Sequence, residues 1–153
     1  MILFDETSAI WIVHSIPHFP PKASTQQYSI NPSQCIYGQS MLCMSLSLDM
    51  LEQIGEQLLY NYPQVYDSYI PDHFNQLNVI ANLARVIKGD HVQAMPWFNT
   101  NYIQTVAGEI MLSFAKYTDF NDDLYSGGFF LQIFIFQQNL TLMNLIFEKN
   151  NLF

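Results

Sequence analysis

MILFDETSAIWIVHSIPHFPP, residues 1–21, is the stretch whose reading decides the fold. Ile2-Leu3-Phe4 is a short apolar run, and Asp5-Glu6-Thr7-Ser8 is polar turn material. Ile10-Trp11-Ile12-Val13 is β-branched and aromatic, the composition that suits a pleated, half-buried surface. Pro17, Pro20 and Pro21 stop it. The stretch predicts a hairpin of two strands, 2–4 and 10–14. A chain that opens inside a sheet is expected to be a domain with a buried first strand or a piece of something longer.

The rest is read outward from that hairpin. Residues 17–40 are loop, rich in Pro, Ser and Gln. Met41 to Leu46 reads as a buried strand after the Tyr37-Gly38-Gln39 turn. A helix is expected from Asp49, which can act as N-cap with Glu52 three residues on. Leu51, Ile54 and Leu58 form its apolar stripe, and Pro63 lies beyond its end. A second helix is expected from about Asp72 to Lys88. Its stripe is Phe74, Leu77, Ala81, Ala84 and Ile87, and Gly89 is its stop. Residues 90–108 read as irregular, Glu109 to Lys116 as a strand, and Asp119 to Gly128 as an acidic, glycine-containing turn region. The periodicity switches predict an α/β (α+β) fold: a mixed sheet holding 2–4, 10–14, 41–46 and 109–115, with helices near 49–60 and 73–88 packed on it.

The domain is expected over 1–126, with a separate apolar tail over 127–153. FFLQIFIFQQNLTLMNLIFEKNNLF, residues 129–153, is made almost wholly of Phe, Leu, Ile, Asn and Gln. It reads either as a poorly integrated addition or as one strand plus a helix. Phe129–Phe136 has high β-propensity and no charge, so it would pair with a free sheet edge or drive aggregation.

Composition bounds the function classes. At 153 residues, half of them apolar or aromatic, the chain can bury a real core. Only 12% is charged, against about 25% in an average soluble protein. That implies little solvated surface, or a partner that covers some of it. The net charge of −8 opposes nucleic-acid binding at neutral pH, because phosphate contacts dominate such affinity. Lys22, Arg85, Lys88, Lys116 and Lys149 do not cluster. Near pH 5 the four His gain charge and some carboxylates lose it, which moves the balance toward zero. Cys35 and Cys43 can pair with each other or outside this chain; no Cys/His cluster suggests zinc, and no metal or cofactor is expected. The first 15 residues lack a basic region and contain Asp5 and Glu6, unlike a signal peptide. No stretch is long enough to span a bilayer; Phe129–Phe136 is too short, so no membrane partner is expected.

Several stretches, taken in order, resemble the deoxyribonuclease II family. They are Leu3-Phe4-Asp5; Trp11-Ile12-Val13-His14-Ser15 with Pro17 and Phe19-Pro20-Pro21; Tyr37-Gly38-Gln39-Ser40 with Leu42-Cys43; and Gln53-Ile54-Gly55 with Leu58 to Tyr66. Pro96-Trp97, Ser113-Phe114-Ala115-Lys116 and Asp122-Asp123-Leu124-Tyr125 complete the series. The match covers about residues 1–126; the tail from about Gly127 does not match. The resemblance implies a phospholipase D-like fold of two similar α/β halves. It implies metal-independent hydrolysis of DNA at acid pH, in lysosomes or after secretion. Each half of such an enzyme contributes one His-x-Lys motif. One His attacks phosphorus, the other protonates the leaving oxygen, and the Lys residues stabilise phosphoryl charge.

Aligned on Leu3-Phe4-Asp5, the first motif would fall just upstream of Met1, and the second would follow Asp122 to Tyr125. The four His read His14-Ser-Ile, His18-Phe-Pro, His73-Phe-Asn and His91-Val-Gln, and none has Lys two residues on. The expectation is a partial, truncated family domain without catalytic activity of its own. The alternatives are a secreted or lysosomal binding protein, or a truncated gene product. Self-association is left open, but two copies would still lack the motif. His14 matches a family His that supports the active site; otherwise it is a half-buried His satisfied by backbone at a strand end. Lys116 could face substrate or be simply solvated. Asp122 and Asp123 read as a turn, because neighbours on an extended chain point to opposite faces. Asn139-Leu140-Thr141 is a glycosylation sequon, and Trp97 and the tyrosines could stack bases or fill core.

Overall fold

The opening stretch folds as a hairpin. In the computed structural model, residues 1–122 are described apart from Phe19, Pro20, Gln26, Tyr28, Ile30 and Leu77. Strand β1 (Ile2–Phe4) pairs antiparallel with β2 (Ser8–His14), placing Leu3 opposite Ile10. The turn between them is organised by one side chain. Asp5 Oδ1 accepts the Thr7 amide at 2.7 Å, the Ser8 amide at 2.8 Å and the Thr7 hydroxyl at 2.9 Å. Those backbone donors favour the ionised carboxylate and pull its pKa down to about 2.

Strand β3 (Met41–Ser47) adds to β2, again antiparallel, with Trp11 opposite Met44 and His14 opposite Met41. Alternation sends Ala9, Trp11, Met44 and Leu46 into the core. Leu3, Ile10, Met41 and Cys43 stand on the outer face, so residues 41–46 are half-buried rather than the wholly buried strand expected.

Helix α1 (Met50–Asn61) buries Leu51 and Ile54 completely. Asp49 does not cap it: its backbone is already helical, so its side chain makes no cap bond. Glu52, the expected partner in that cap, instead accepts the Asn82 amide at 3.1 Å. Tyr62 closes α1 in the left-handed region, just before Pro63.

The second expected helix is broken. Short 3-10 turns cover Asp72–Gln76 and Asn78–Ile80, and only Ala81–Ile87 is α-helical (α2). Its buried face is also rotated from the expected Ala81–Ala84–Ile87 stripe. Ile80, Leu83 and Val86 point inward, because larger apolar side chains remove more surface from water than alanines do. Gly89 ends this segment as expected, at φ 79° with its amide on the Val86 carbonyl.

Residues 90–108 are not all irregular. They contain β4 (Phe98–Gln104), which pairs antiparallel with β5 (Ile110–Lys116). The expected single mixed sheet is therefore two antiparallel sheets, β1-β2-β3 and β4-β5, linked by one bridge between Leu46 and Thr105. Among the described residues no helix is long and apolar enough to cross a membrane. Asp123, Asn139 and the 127–153 tail lie outside the described residues.

The tightest contact is between the helices. A Cβ on Gly55 would sit 2.7 Å from the Leu83 amide nitrogen and 2.8 Å from Asn82 Cβ. Alanine in place of a helical glycine ordinarily gains up to about 1 kcal/mol. Here it overpacks against backbone, so Gly55→Ala is expected to lose about 1–2 kcal/mol in urea unfolding. Asp5→Ala should lower the melting temperature most above pH 4. The folded pKa lies below the ordinary 3.8, so the carboxylate's contribution is complete above that value and disappears as pH falls through about 2. Thermal melts of both proteins across that range should converge at the acid end.

Candidate functional site

The site suggested by the sequence lies where β2 ends. His14 is half-buried on the outer face of the first sheet, beside Met41. Its Nδ1 accepts the Ile16 amide at 3.2 Å. The ring proton of a neutral His14 therefore sits on Nε2, which is left as the donor.

Two clamps hold the chain that follows. Ser15 donates its amide to the Ser40 carbonyl at 3.0 Å. Its hydroxyl accepts the Ser40 amide at 2.9 Å and donates to Gln39 Oε1 at 2.8 Å. The second clamp is Gln34, which is buried. Its Nε2 donates to the Pro17 carbonyl, while its Oε1 accepts the Asn31 amide at 2.9 Å. Asn31 in turn caps the 3-10 turn Pro32–Cys35 by accepting the Ser33 amide at 3.0 Å. Sequence reasoning quoted Ser15, Gln39 and Ser40 only as part of the resemblance, read Gln34 as loop, and gave none of the four a role. Asn31-Pro32-Ser33-Gln34 carried the signal, a cap residue with Gln three on and Pro at the first position.

Lys116 is not brought to His14. It ends β5, half-buried, with its ammonium donating to the Asp122 carbonyl at 2.9 Å. Along the strands, Met41 and His14 run one way from the Leu46–Thr105 bridge, while Phe98 and Lys116 run the other. Cys43 is a free thiol exposed on the same sheet face as His14. Among the described residues no group of His, Cys, Asp or Glu could hold a metal ion.

The other His have separate surroundings. His73 lies 3.7 Å from Glu6 at the surface. His91 is stacked on Tyr117, with centroids 5.2 Å apart, and Tyr117 is stacked on Trp97 at 5.9 Å. The Arg85 guanidinium, 2.8 Å from Asp90, and then the His91 amide hold the Asp90 carboxyl below its ordinary range.

Comparison with known proteins points in one direction. The profile of the deoxyribonuclease II family matches residues 1–140. Deoxyribonuclease-2-alpha of Mus musculus is 42% identical over 127 residues, covering 83% of this chain and 35% of the relative. Deoxyribonuclease-2 of Caenorhabditis elegans is 40% identical over 124 residues, 81% of this chain and 32% of the relative. Plancitoxin-1 of Acanthaster planci is 37% identical over 125 residues, 82% and 34% respectively. The chain spans about a third of the length of these curated relatives. No solved structure gives a significant match.

Gln34→Ala would remove the side-chain partners of the Pro17 carbonyl and the Asn31 amide, two bonds that hold the segment after His14. Urea unfolding should show a loss of about 1–3 kcal/mol, where alanine at exposed Gln27 changes little.

Proposed function

The chain belongs to the deoxyribonuclease II family, and from that membership we propose that it is part of a metal-independent acid endonuclease that hydrolyses DNA phosphodiesters. The observation that carries this reading is the family match over residues 1–140, which spans both sheets and both helices, with 42% identity to a deoxyribonuclease-2-alpha over 127 residues. In a phospholipase D-like arrangement these elements form the scaffold of one half. Nucleophile and acid need opposite protonation states, which two His can hold near pH 5.

These 153 residues supply support rather than attack. None of the four His has Lys two residues on, so no histidine here is paired with the cation that stabilises a phosphoryl transition state. His14 is placed as a contact to phosphate or to the reacting groups. Its Nε2 is free to donate, and the Ser15 and Gln34 clamps fix the backbone beside it. Lys116 is assigned a structural part, since its ammonium already serves the Asp122 carbonyl. Cys43, free here, is a candidate for pairing with a cysteine outside these residues. DNA is the substrate and an acid compartment, lysosomal or extracellular, is the setting. The net charge of −8 suits that setting better than neutral pH.

A second reading is a binding protein that retains the family surface without the chemistry. The missing His-x-Lys pairs favour it. Plasmid incubated with the purified chain at pH 5 in chelator is expected to stay supercoiled, with wild type and His14→Ala indistinguishable. Nicking that survives repurification and disappears in His14→Ala would instead make His14 catalytic.

A further inference from the structure

Four aromatic rings from separate segments meet at the far end of α1; His91, Tyr117 and Trp97 form a ladder, and Tyr62 leans against its first two rings, 6.5 Å from Tyr117. Tyr62, at the C-terminus of α1, lies 4.7 Å from His91 in the loop after α2. His91 stacks on Tyr117 at 5.2 Å and 10° between planes. Tyr117 stacks on Trp97 at 5.9 Å and 30°. The backbone locks this order. The Tyr117 amide donates to the Trp97 carbonyl at 2.7 Å, and the Val92 amide donates to the Leu59 carbonyl at 3.3 Å.

The ladder ends at Trp97. One face of the indole is occupied by Tyr117, and among the described residues no other ring meets the second face. Trp97 is half-buried, and residues 93–96 beside it are exposed and carry no charge. Here the largest π-surface of the series is terminal and rigidly backed, at an uncharged rim. That is the construction of a stacking platform, which accepts any base because every base has a π-face.

We propose that the outer face of the Trp97 indole is a subsite for a nucleobase of single-stranded or frayed DNA. This rests on DNA being the substrate, and deepens that reading by giving the strand a second point of contact away from His14. A base would add a fourth ring to the ladder. The contact is sequence-tolerant, because it reads a flat face and not a hydrogen-bonding edge.

The test uses the full chain, 15N-labelled, at pH 5 and low salt. Two tryptophans give two indole N–H signals, and Trp11, only 3% exposed, is the internal control. A short oligothymidylate and free thymidine are titrated separately. The Trp97 signal should shift saturably with both, more tightly with the strand, while Trp11 stays fixed. Ligand line broadening should report binding about tenfold weaker in Trp97→Leu and mostly restored in Trp97→Phe, which keeps a ring. A Trp97 signal unmoved by either ligand overturns the proposal. So does a shift with the strand but not with thymidine, which would mean phosphate binding alone, or equal binding by the Leu and Phe variants. Should the Leu variant not fold, the wild-type titration decides. Plasmid cleavage, expected to be absent for this chain alone, reports on the chemistry and not on stacking, so either reading can fail without the other.

Discussion

The close approach of α1 to α2 at Gly55 is the constraint on which the remaining packing depends. With no Cβ at that position, the Leu83 backbone comes within side-chain distance of α1. This sets how α1 lies on the strands. From its other faces, Leu51 and Ile54 enter the core shared with Trp11, Met44 and Ile103. Gln57 donates to the Ser113 carbonyl of β5 at 3.3 Å, and Glu56 accepts from Asn101 of β4 at 2.7 Å. Among the described residues the strands of the two sheets pair at one bridge, Leu46–Thr105, beside which the Val106 amide donates to the Ser45 carbonyl at 2.9 Å. α1 bonds to the second sheet, and its Leu51 and Ile54 enter a core to which Trp11 and Met44 of one sheet and Ile103 and Met111 of the other contribute.

Contact between α1 and the second sheet is unusually polar. Gln57 is almost wholly buried yet bonds through its amide nitrogen; its Oε1, with Gln53 Oε1, Asn99 Nδ2 and His91 Nδ1, has no partner among the described residues. Each such buried group costs about 1–3 kcal/mol if left unpaired. The apolar contacts of α1 with α2 and the first sheet must outweigh that, which is a second reason why the Gly55 approach matters. His91, whose Nδ1 is one of these atoms, stacks on Tyr117, so the buried polar groups extend to the aromatic rings.

What was legible in the sequence follows from where patterning and environment agree. The hairpin, β3 and α1 were readable because their apolar spacing matches one buried face, and β5 because Met111 to Ala115 form a short run buried on both faces. β4 was not. FNTNYIQ carries Asn99 and Asn101 at positions that face α1, and exposes Tyr102, the reverse of the usual pattern. Only the Glu56 carboxylate, forty-five residues away, makes Asn101 acceptable there. The second helix was overextended because alanines at helical spacing mimic a stripe that Ile80, Leu83 and Val86 actually supply. At the candidate site His14 was found by resemblance. The residues that hold its surroundings were hidden because a buried Gln in a loop has no periodicity to betray it.

The low charge and the outer face of the first sheet are two aspects of the same design. Leu3, Ile10, Met41 and Cys43 are exposed there with serines between them, and no charged residue lies on that face of the three strands. An antiparallel sheet can leave one face in water, but that face is ordinarily polar, so this composition suits a surface that meets another layer. His14 stands at its edge, where the apolar rows stop and the Ser15–Gln39–Ser40 clamp begins. A covering layer would exclude water from the strands but leave the strand ends open. Hydrogen bonds to a phosphate oxygen strengthen as solvent is removed around them. The support proposed for His14 therefore depends less on the imidazole alone than on how far the neighbouring face is closed.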